Sequence, residues 1–304
     1  MVNDTNGTHD TELLAVRFEE HRGRLKAVAY RMLGSLAEAE DAVQEAWLKL
    51  SRTDADAIDN LGGWLTTVVG RVCLDLLRSR TRRHEEPLDD TFVPDPVIRP
   101  LTQIDPEQEV LQADSVGLAL LVVLETLEPA ERIAFVLHDM FAVPFDDIAP
   151  IVERSSAATR QLASRARRRV KGATPSSEPD LGRQRQVLDA FMAAARAGDF
   201  EALLAVLDPE VVLRADSGPL VRGAAASKLV RGAKPVAEQA LLFAQLAQYA
   251  QLVLVNGEIG VLHAPAGQPQ SVMGVTVADG RITHMYILAD PERLGGLGLT
   301  DLGG

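Results

Sequence analysis

The sequence predicts a multidomain chain in which an all-α N-terminal part precedes an α+β C-terminal domain. Three observations carry that prediction. Apolar residues recur at three- and four-residue steps over Thr11–Arg52 and again from about Val110 to Val170, the period of helices that pack on one side. Beyond the segment TPSSEP, residues 174–179, short β-rich runs appear instead, punctuated by Asn256-Gly257 and Asp279-Gly280. Aromatic residues make up only 4 % of the chain, so its cores are built from Leu, Val, Ile and Ala, which suit helical packing.

Taken in order, Leu14, Phe18, Leu25, Val28, Ala29, Met32 and Leu33 mark a first helix. Gly34-Ser35 breaks it, with Ser35 placed to cap the next helix and Glu38 three residues on, a capping-box pattern. That helix runs to about Leu50. A polar loop then precedes a third helical stretch, Trp64–Arg80. Residues 84–106 hold five prolines and many acids with no sustained period, and read as a linker. After 174–179, helices are expected at Gln184–Ala197, Phe200–Leu207 and Lys234–Leu246. Strands are expected from Val211, then at Ala250–Val255, Ile259–His263, Val272–Val277 and Ile282–Leu288.

The formal charge of −12 argues at first against a nucleic-acid partner, but its distribution reverses that. Between Glu85 and Glu131 stand twelve acidic residues and one basic one. Ser155–Gly172 carries six Arg or Lys and no acid, and Arg71–Arg83 carries five Arg against one Asp. Two basic strips flank an acidic connector, and a phosphate backbone responds to local strips within a screening length of about 8–10 Å. With one cysteine, Cys73, no intramolecular disulfide is available. No apolar run reaches the roughly 20 residues of a membrane span, and the start lacks a signal-peptide pattern, so a cytoplasmic protein without membrane contact is expected.

Residues 145–170 have the build of a helix-turn-helix. Phe145, Ile148, Ala149 and Val152 form one apolar face, Glu153–Ser155 a three-residue turn, and Ser155 or Ser156 a cap. On the second helix Ala158, Leu162, Ala166 and Val170 form a narrow stripe for packing. Ser156, Thr159, Arg160, Ser164, Arg165, Arg167 and Arg168 are then left for base edges and phosphates. A solvated basic helix at the end of a bundle is the bland alternative.

These residues resemble a known family. LETLEPAERIAFVLHDMFAVPFDDIAPIV and the helix after it are similar to region 4 of extracytoplasmic-function (ECF) sigma factors. AEAEDAVQEAWLKL, residues 37–50, resembles their region 2.2, and LGGWLTTVVGRVCLDLLRSRTRR, residues 61–83, their regions 2.3 to 2.4. The resemblance implies two all-α sigma domains, a region 2 helical bundle over 11–83 and a region 4 helix-turn-helix over 110–172, joined by an acidic, proline-rich linker over 84–109. It implies a surface of Asp41, Gln44, Glu45 and Leu48 docked on the RNA polymerase core enzyme. It also implies promoter contacts at the −10 element from Arg71, Arg78, Arg80, Arg82 and Arg83, and at the −35 element from region 4. Trp64 is either a stacking surface for an unpaired base or, the reading preferred here, part of the core. The family usually has Asn near the position of Gly70.

After a linker over 173–182, residues 183–293 resemble SnoaL-like domains, α+β cones in which helices cap a curved sheet. A subgroup of ECF sigma factors carries this domain in a regulatory role. Phe92–Pro96, including Pro94, Asp95 and Pro96, resembles that subgroup's Trp-Leu-Pro-Glu-Pro motif. Residues 289–294, with Pro291 and Arg293, resemble its Asn-Pro-Asp/Glu-Lys-Leu motif. Asp216-Ser217-Gly218-Pro219-Leu220 stands where the subgroup has Asp-Gly-Gly-Gly-Lys. Enzymes of this fold abstract protons with Asp and His, for which Asp216, His263 and His284 are the candidates. No second carboxylate or His spacing supports catalysis, a metal or a cofactor. A regulatory packing surface is expected, with a small bound ligand as the alternative. A ligand-sensing helix-turn-helix regulator that acts without core polymerase explains region 4 but leaves the region 2 motifs unexplained.

Overall fold

In the computed structural model, Gly34 takes a left-handed conformation (φ 66°) that ends the first helix and turns the chain into the second. The structure describes residues 5–54, 58–83, 91–101, 116–175, 177–219 and 221–299. It divides into two units, Met1–Glu85 with Val123–Ala173, and Glu86–Val122 with Thr174–Gly304. No helix among the described residues is long and apolar enough to cross a membrane.

The first unit is all-helical. It begins with α1 (Thr5–Leu33), α2 (Leu36–Leu50) and α3 (Leu61–Arg83). The Ser35 hydroxyl accepts the Glu38 N–H, so half of the expected capping box forms. The Glu38 carboxylate is instead paired with Arg80. Leu25, Val28 and Met32 of α1, Val43 and Leu50 of α2, and Leu65, Val69 and Cys73 of α3 are fully buried together. Burial pushes the Cys73 thiol pKa far up, which makes it an inert core residue.

There follow α4 (Leu118–Glu125), α5 (Pro129–Phe135), which runs on through a π-helical turn, α6 (Phe145–Val152) and α7 (Ser156–Ala173). The division between units crosses α4. Pro129 opens α5 in the first turn, where a missing N–H costs nothing. A Cβ on Gly70 of α3 would stand 3.2 Å from Ile151 Cδ1 and 3.6 Å from Leu137 Cδ1. The bare backbone there lets α6 approach α3.

The second unit is α+β. A seven-stranded sheet has the order β1-β4-β5-β6-β7-β2-β3. Its strands are β1 (Ile98–Pro100), β2 (Leu207–Asp216), β3 (Lys228–Arg231), β4 (Ala250–Val255), β5 (Glu258–His263), β6 (Ser271–Ala278) and β7 (Arg281–Leu288). All neighbours are antiparallel except β2 with β7. The hairpins β4–β5 and β6–β7 turn on Asn256-Gly257 and Asp279-Gly280. Both residues of each pair have positive φ, as a two-residue turn matched to strand twist requires.

Helices α8 (Leu181–Ala197), α9 (Phe200–Val206) and α10 (Ala233–Leu242) share one core with the sheet: Leu188, Phe191, Leu203, Val236, Val261, Val275 and Ile282. Asp180 and Asp199 accept the first N–H groups of α8 and α9. A short α11 (Pro291–Gly295) is capped the same way by Asp290.

Gly260 of β5 is where this sheet is tightest. A Cβ there would lie 2.6 Å from Met273 O in β6 and closer still to Val255 Cγ2. We expect Gly260→Ala to destabilise the second unit by about 1–3 kcal/mol through overpacking, read as a lowered thermal midpoint of the full chain.

The chain departs from expectation at 91–101. In place of a linker, Thr91, Val93, Pro94, Asp95 and Pro96 are buried, and β1 pairs with β4, Ile98 opposite Val255. Asn256 N donates to Val97 O (2.8 Å), and Val97 N donates to Asn256 Oδ1 (2.9 Å). Closely spaced prolines at 94, 96 and 100 hide a short strand from any periodicity argument, and an edge strand tolerates Pro100 where a central one would not. The acidic residues 84–90 and 102–115 lie outside the described residues. Edge strand β3 and the single turn α11 also go beyond the sequence expectation, because both are too short to show a period.

Candidate functional site

Helix α6 ends at Val152, and Glu153 adopts the left-handed region (φ 56°). Arg154 N donates to Ala149 O (3.1 Å). The Ser155 hydroxyl then accepts the Ala158 N–H (3.2 Å), so Ser155 rather than Ser156 caps α7. These contacts fix the turn between the two helices at Glu153–Ser155.

The packed face of α7 is not the one expected. Thr159, Ala163 and Ala166 are buried, while Leu162 and Val170 are half-buried at the flank and Ala158 is exposed. Thr159, expected to point outward, is 0 % exposed, and its hydroxyl donates to Ser155 O (3.0 Å). A stripe read from four-residue steps alone drifts around a helix of 3.6 residues per turn, and the steps of four and three at 159, 163 and 166 follow the axis better.

Ser156 is half-buried; Arg160, Ser164, Arg165, Arg167 and Arg168 are exposed. Two of the arginines are nonetheless engaged. Arg165 Nε contacts Glu131 Oε1 (2.7 Å), and Arg167 Nη2 contacts Asp139 Oδ1 (2.6 Å). Arg160 lies 5.4 Å from the Phe145 ring centroid. Among the described residues, neither Arg160 nor Arg168 pairs with a carboxylate.

On α3, Arg71 and Arg82 are exposed, and Arg82 Nε donates to Arg78 O (3.3 Å). Arg78 reaches Glu153 Oε2 (3.4 Å). Arg80 is committed to holding the bundle together. It donates to Leu33 O at the end of α1 (3.0 Å) and pairs with Glu38. Arg83 is exposed at the end of α3, and residues 55–57 of the preceding loop lie outside the described residues. Trp64, expected in the core, is half-buried and lines a cleft with His21, Arg24, Pro144 and Ile151. Asp41, Gln44, Glu45 and Leu48 lie on α2, whose Ala42, Val43 and Ala46 are buried. Asp41, Gln44 and Glu45 are exposed, and Leu48 keeps 45 % of its surface in water.

In the second unit the motif residues converge on one guanidinium. Arg293 Nε donates to Asp95 Oδ1 (2.8 Å), Nη1 to Asp216 Oδ2 (2.7 Å) and Nη2 to Val93 O (2.5 Å). Its guanidinium lies 5.0 Å from the Phe92 ring centroid. Asp216 also accepts the N–H groups of Val93 (3.1 Å) and Gly218 (3.1 Å). Gly218 (φ 74°) has no room for a side chain, since a Cβ would lie 2.5 Å from Asp290 Oδ2. Pro94 and Pro96 are buried beside Asp95, and Pro291 opens α11 two residues before Arg293. Segment 91–101 is thereby clamped to the strand end and to α11, at charge-assisted distances.

A cavity of about 520 Å³ opens between the sheet and helices α8 and α10. Of the three candidate proton-transfer residues, His263 alone lines it. Its Nδ1 is 3.1 Å from Ser271 Oγ, and burial holds its pKa below the usual imidazole range. His284 is half-buried on β7, also with a lowered pKa, from burial first and then from Arg214. Asp216 spends its oxygens on Arg293 and two N–H groups. The structure does not assemble the three around one substrate position.

Residues 17–83 match the family model described as Sigma-70 region 2, and residues 117–170 match that of Sigma-70, region 4. The chain is similar to the ECF RNA polymerase sigma factor SigJ of Mycobacterium tuberculosis, 40 % identical over 295 residues, which covers 92 % of this chain and 92 % of that one. A probable ECF RNA polymerase sigma factor SigI of the same species is 35 % identical over 295 residues, covering 96 % of this chain and 98 % of the relative. The crystal structure of Mycobacterium tuberculosis SigJ matches with a TM-score of 0.74 and 38 % identity, over 94 % of this chain and 99 % of that chain.

Proposed function

Because this chain belongs to the ECF sigma factors of RNA polymerase, with a SnoaL-like domain at its C-terminal side, we propose how its surfaces divide the recognition of polymerase and promoter. Asp41, Gln44, Glu45 and Leu48 form the docking face for the core enzyme. An exposed leucine among acids is the composition of a face that gains by being covered. Arg71 and Arg82 of α3 contact the −10 element, and α7 reads the −35 element. The chain acts as a specificity subunit, not as the catalyst.

The observation that carries the −35 assignment is the helix-turn-helix, with exposed Arg160 and Arg168 on its second helix. Arg165 and Arg167 must leave Glu131 and Asp139 to reach phosphate, so their contributions are smaller. In transcription reconstituted with core polymerase, the full chain is expected to direct initiation from a defined promoter. Replacing Arg160 and Arg168 together with Ala should weaken binding to that promoter. It should also lower the slope of log K against log salt by about one per arginine. An unchanged slope would remove both residues from the interface.

The two regions pack together within the first unit, α6 on α3 at Gly70. Elements at −10 and −35 lie about 25 base pairs apart, or ~85 Å at ~3.4 Å per pair. α3, with 23 residues, is only ~35 Å long at ~1.5 Å per residue. The regions must therefore part before both elements are read, and the packed arrangement is the unbound one. The chain between them passes through the second unit as segment 91–101, which gives the C-terminal domain a physical means of modulating that opening.

A further inference from the structure

The cavity of about 520 Å³ in the second unit falls within the range of about 300–1,000 Å³ typical of small-molecule sites. Its walls are mainly apolar, with Phe191, Met273, Met285 and Ile287 among them. Lys228 of β3 is the one lysine or arginine on the lining, and no aspartate or glutamate lines it among the described residues. Lys228 Nζ donates to Gln239 Oε1 (2.7 Å) and lies 5.4 Å from the Phe243 ring centroid. Burial lowers its pKa below the usual ammonium range, so its charge is held at a cost that an arriving anion offsets.

We propose that this cavity binds an amphipathic carboxylate, its head group on Lys228 and its apolar body along Phe191, Met273, Met285 and Ile287. A single lysine on an apolar wall suits one negative charge. A phosphate dianion would bring a second, uncompensated charge, and the lining offers no guanidinium fork to receive it. Ser217, Pro291 and Leu294 also line the cavity, so its wall is continuous with the strand end and helix that carry the Arg293 clamp.

The test is calorimetric titration of the full chain with octanoate, octanol and octylammonium at equal ionic strength. Because it reads binding directly, its outcome is separate from any transcriptional role. Octanoate is expected to bind at least tenfold tighter than octanol, with octylammonium weakest. Lys228→Gln should remove the preference for octanoate and leave octanol unchanged, and Ala240→Trp, which fills the cavity from α10, should abolish both. Circular-dichroism melting verifies that each variant is folded; should Lys228→Gln fail to fold, the series on the unaltered chain and Ala240→Trp still decide. Equal affinity for octanoate and octanol, unchanged octanoate binding in folded Lys228→Gln, persistence of binding in folded Ala240→Trp, or no saturable binding of any of the three would each overturn the proposal.

Discussion

Replacing Arg132 with methionine is expected to destabilise the first unit by about 3–5 kcal/mol, the range for removing one partner of a buried ion pair. Arg132 is 3 % exposed and its side chain is bidentate with Glu125, at 2.8 and 3.1 Å. The same guanidinium donates to Met32 O (2.9 Å), one of the last carbonyls of α1, which has no partner within its own helix. Methionine preserves much of the packing volume but leaves a carboxylate and a carbonyl without their donor. Trp47 and Trp64, the two tryptophans of the chain, both lie in the first unit, so the urea midpoint followed by tryptophan fluorescence reports this unit alone. Adding Glu125→Gln to Arg132→Met should recover part of the loss, because the stranded charge is gone. A midpoint unchanged by Arg132→Met would mean that water already satisfies both acceptors.

Replacing Arg293 with methionine is the second large effect, with a different readout. Asp95 and Asp216 would then face each other without their cation, and Val93 O would lose its donor. About 3 kcal/mol is expected, the low end of the range above, because Arg293 keeps 22 % of its side chain in water. The loss falls on the segment Arg293 holds, so amide hydrogen exchange at Val93 and Val97 should accelerate about a hundredfold, while α8 exchanges as before. Promoter-directed transcription by this variant should differ from that of the parent chain at equal core binding. Faster exchange with unchanged output would leave the clamp purely structural and sink its regulatory role.

Much of this was legible in the sequence because it is set by residues close together along the chain. Gly34-Ser35 states where one helix ends and another begins, and Asn256-Gly257 and Asp279-Gly280 state where hairpins fold, since few residues tolerate the backbone those turns require. The three-residue turn at Glu153–Ser155 was readable for the same reason. Asp95, Asp216 and Arg293 were marked by resemblance alone. Nothing in their spacing says that residues 77 and 198 positions apart share one guanidinium.

Faces and partners were decided by the tertiary structure. Neighbouring positions on a helix differ by about 100°, so a small error in choosing the stripe of α7 placed Thr159 outside when it is buried. Arginines at 80, 165 and 167 look alike in a basic strip, yet each meets a particular acid only once another helix is brought alongside. Segment 91–101 has no period of its own and becomes a strand because β4 offers an edge to pair with. Local sequence, by itself, determined which elements form and where they turn. The folded structure determined what each side chain faces, because that depends on surfaces supplied by distant parts of the chain.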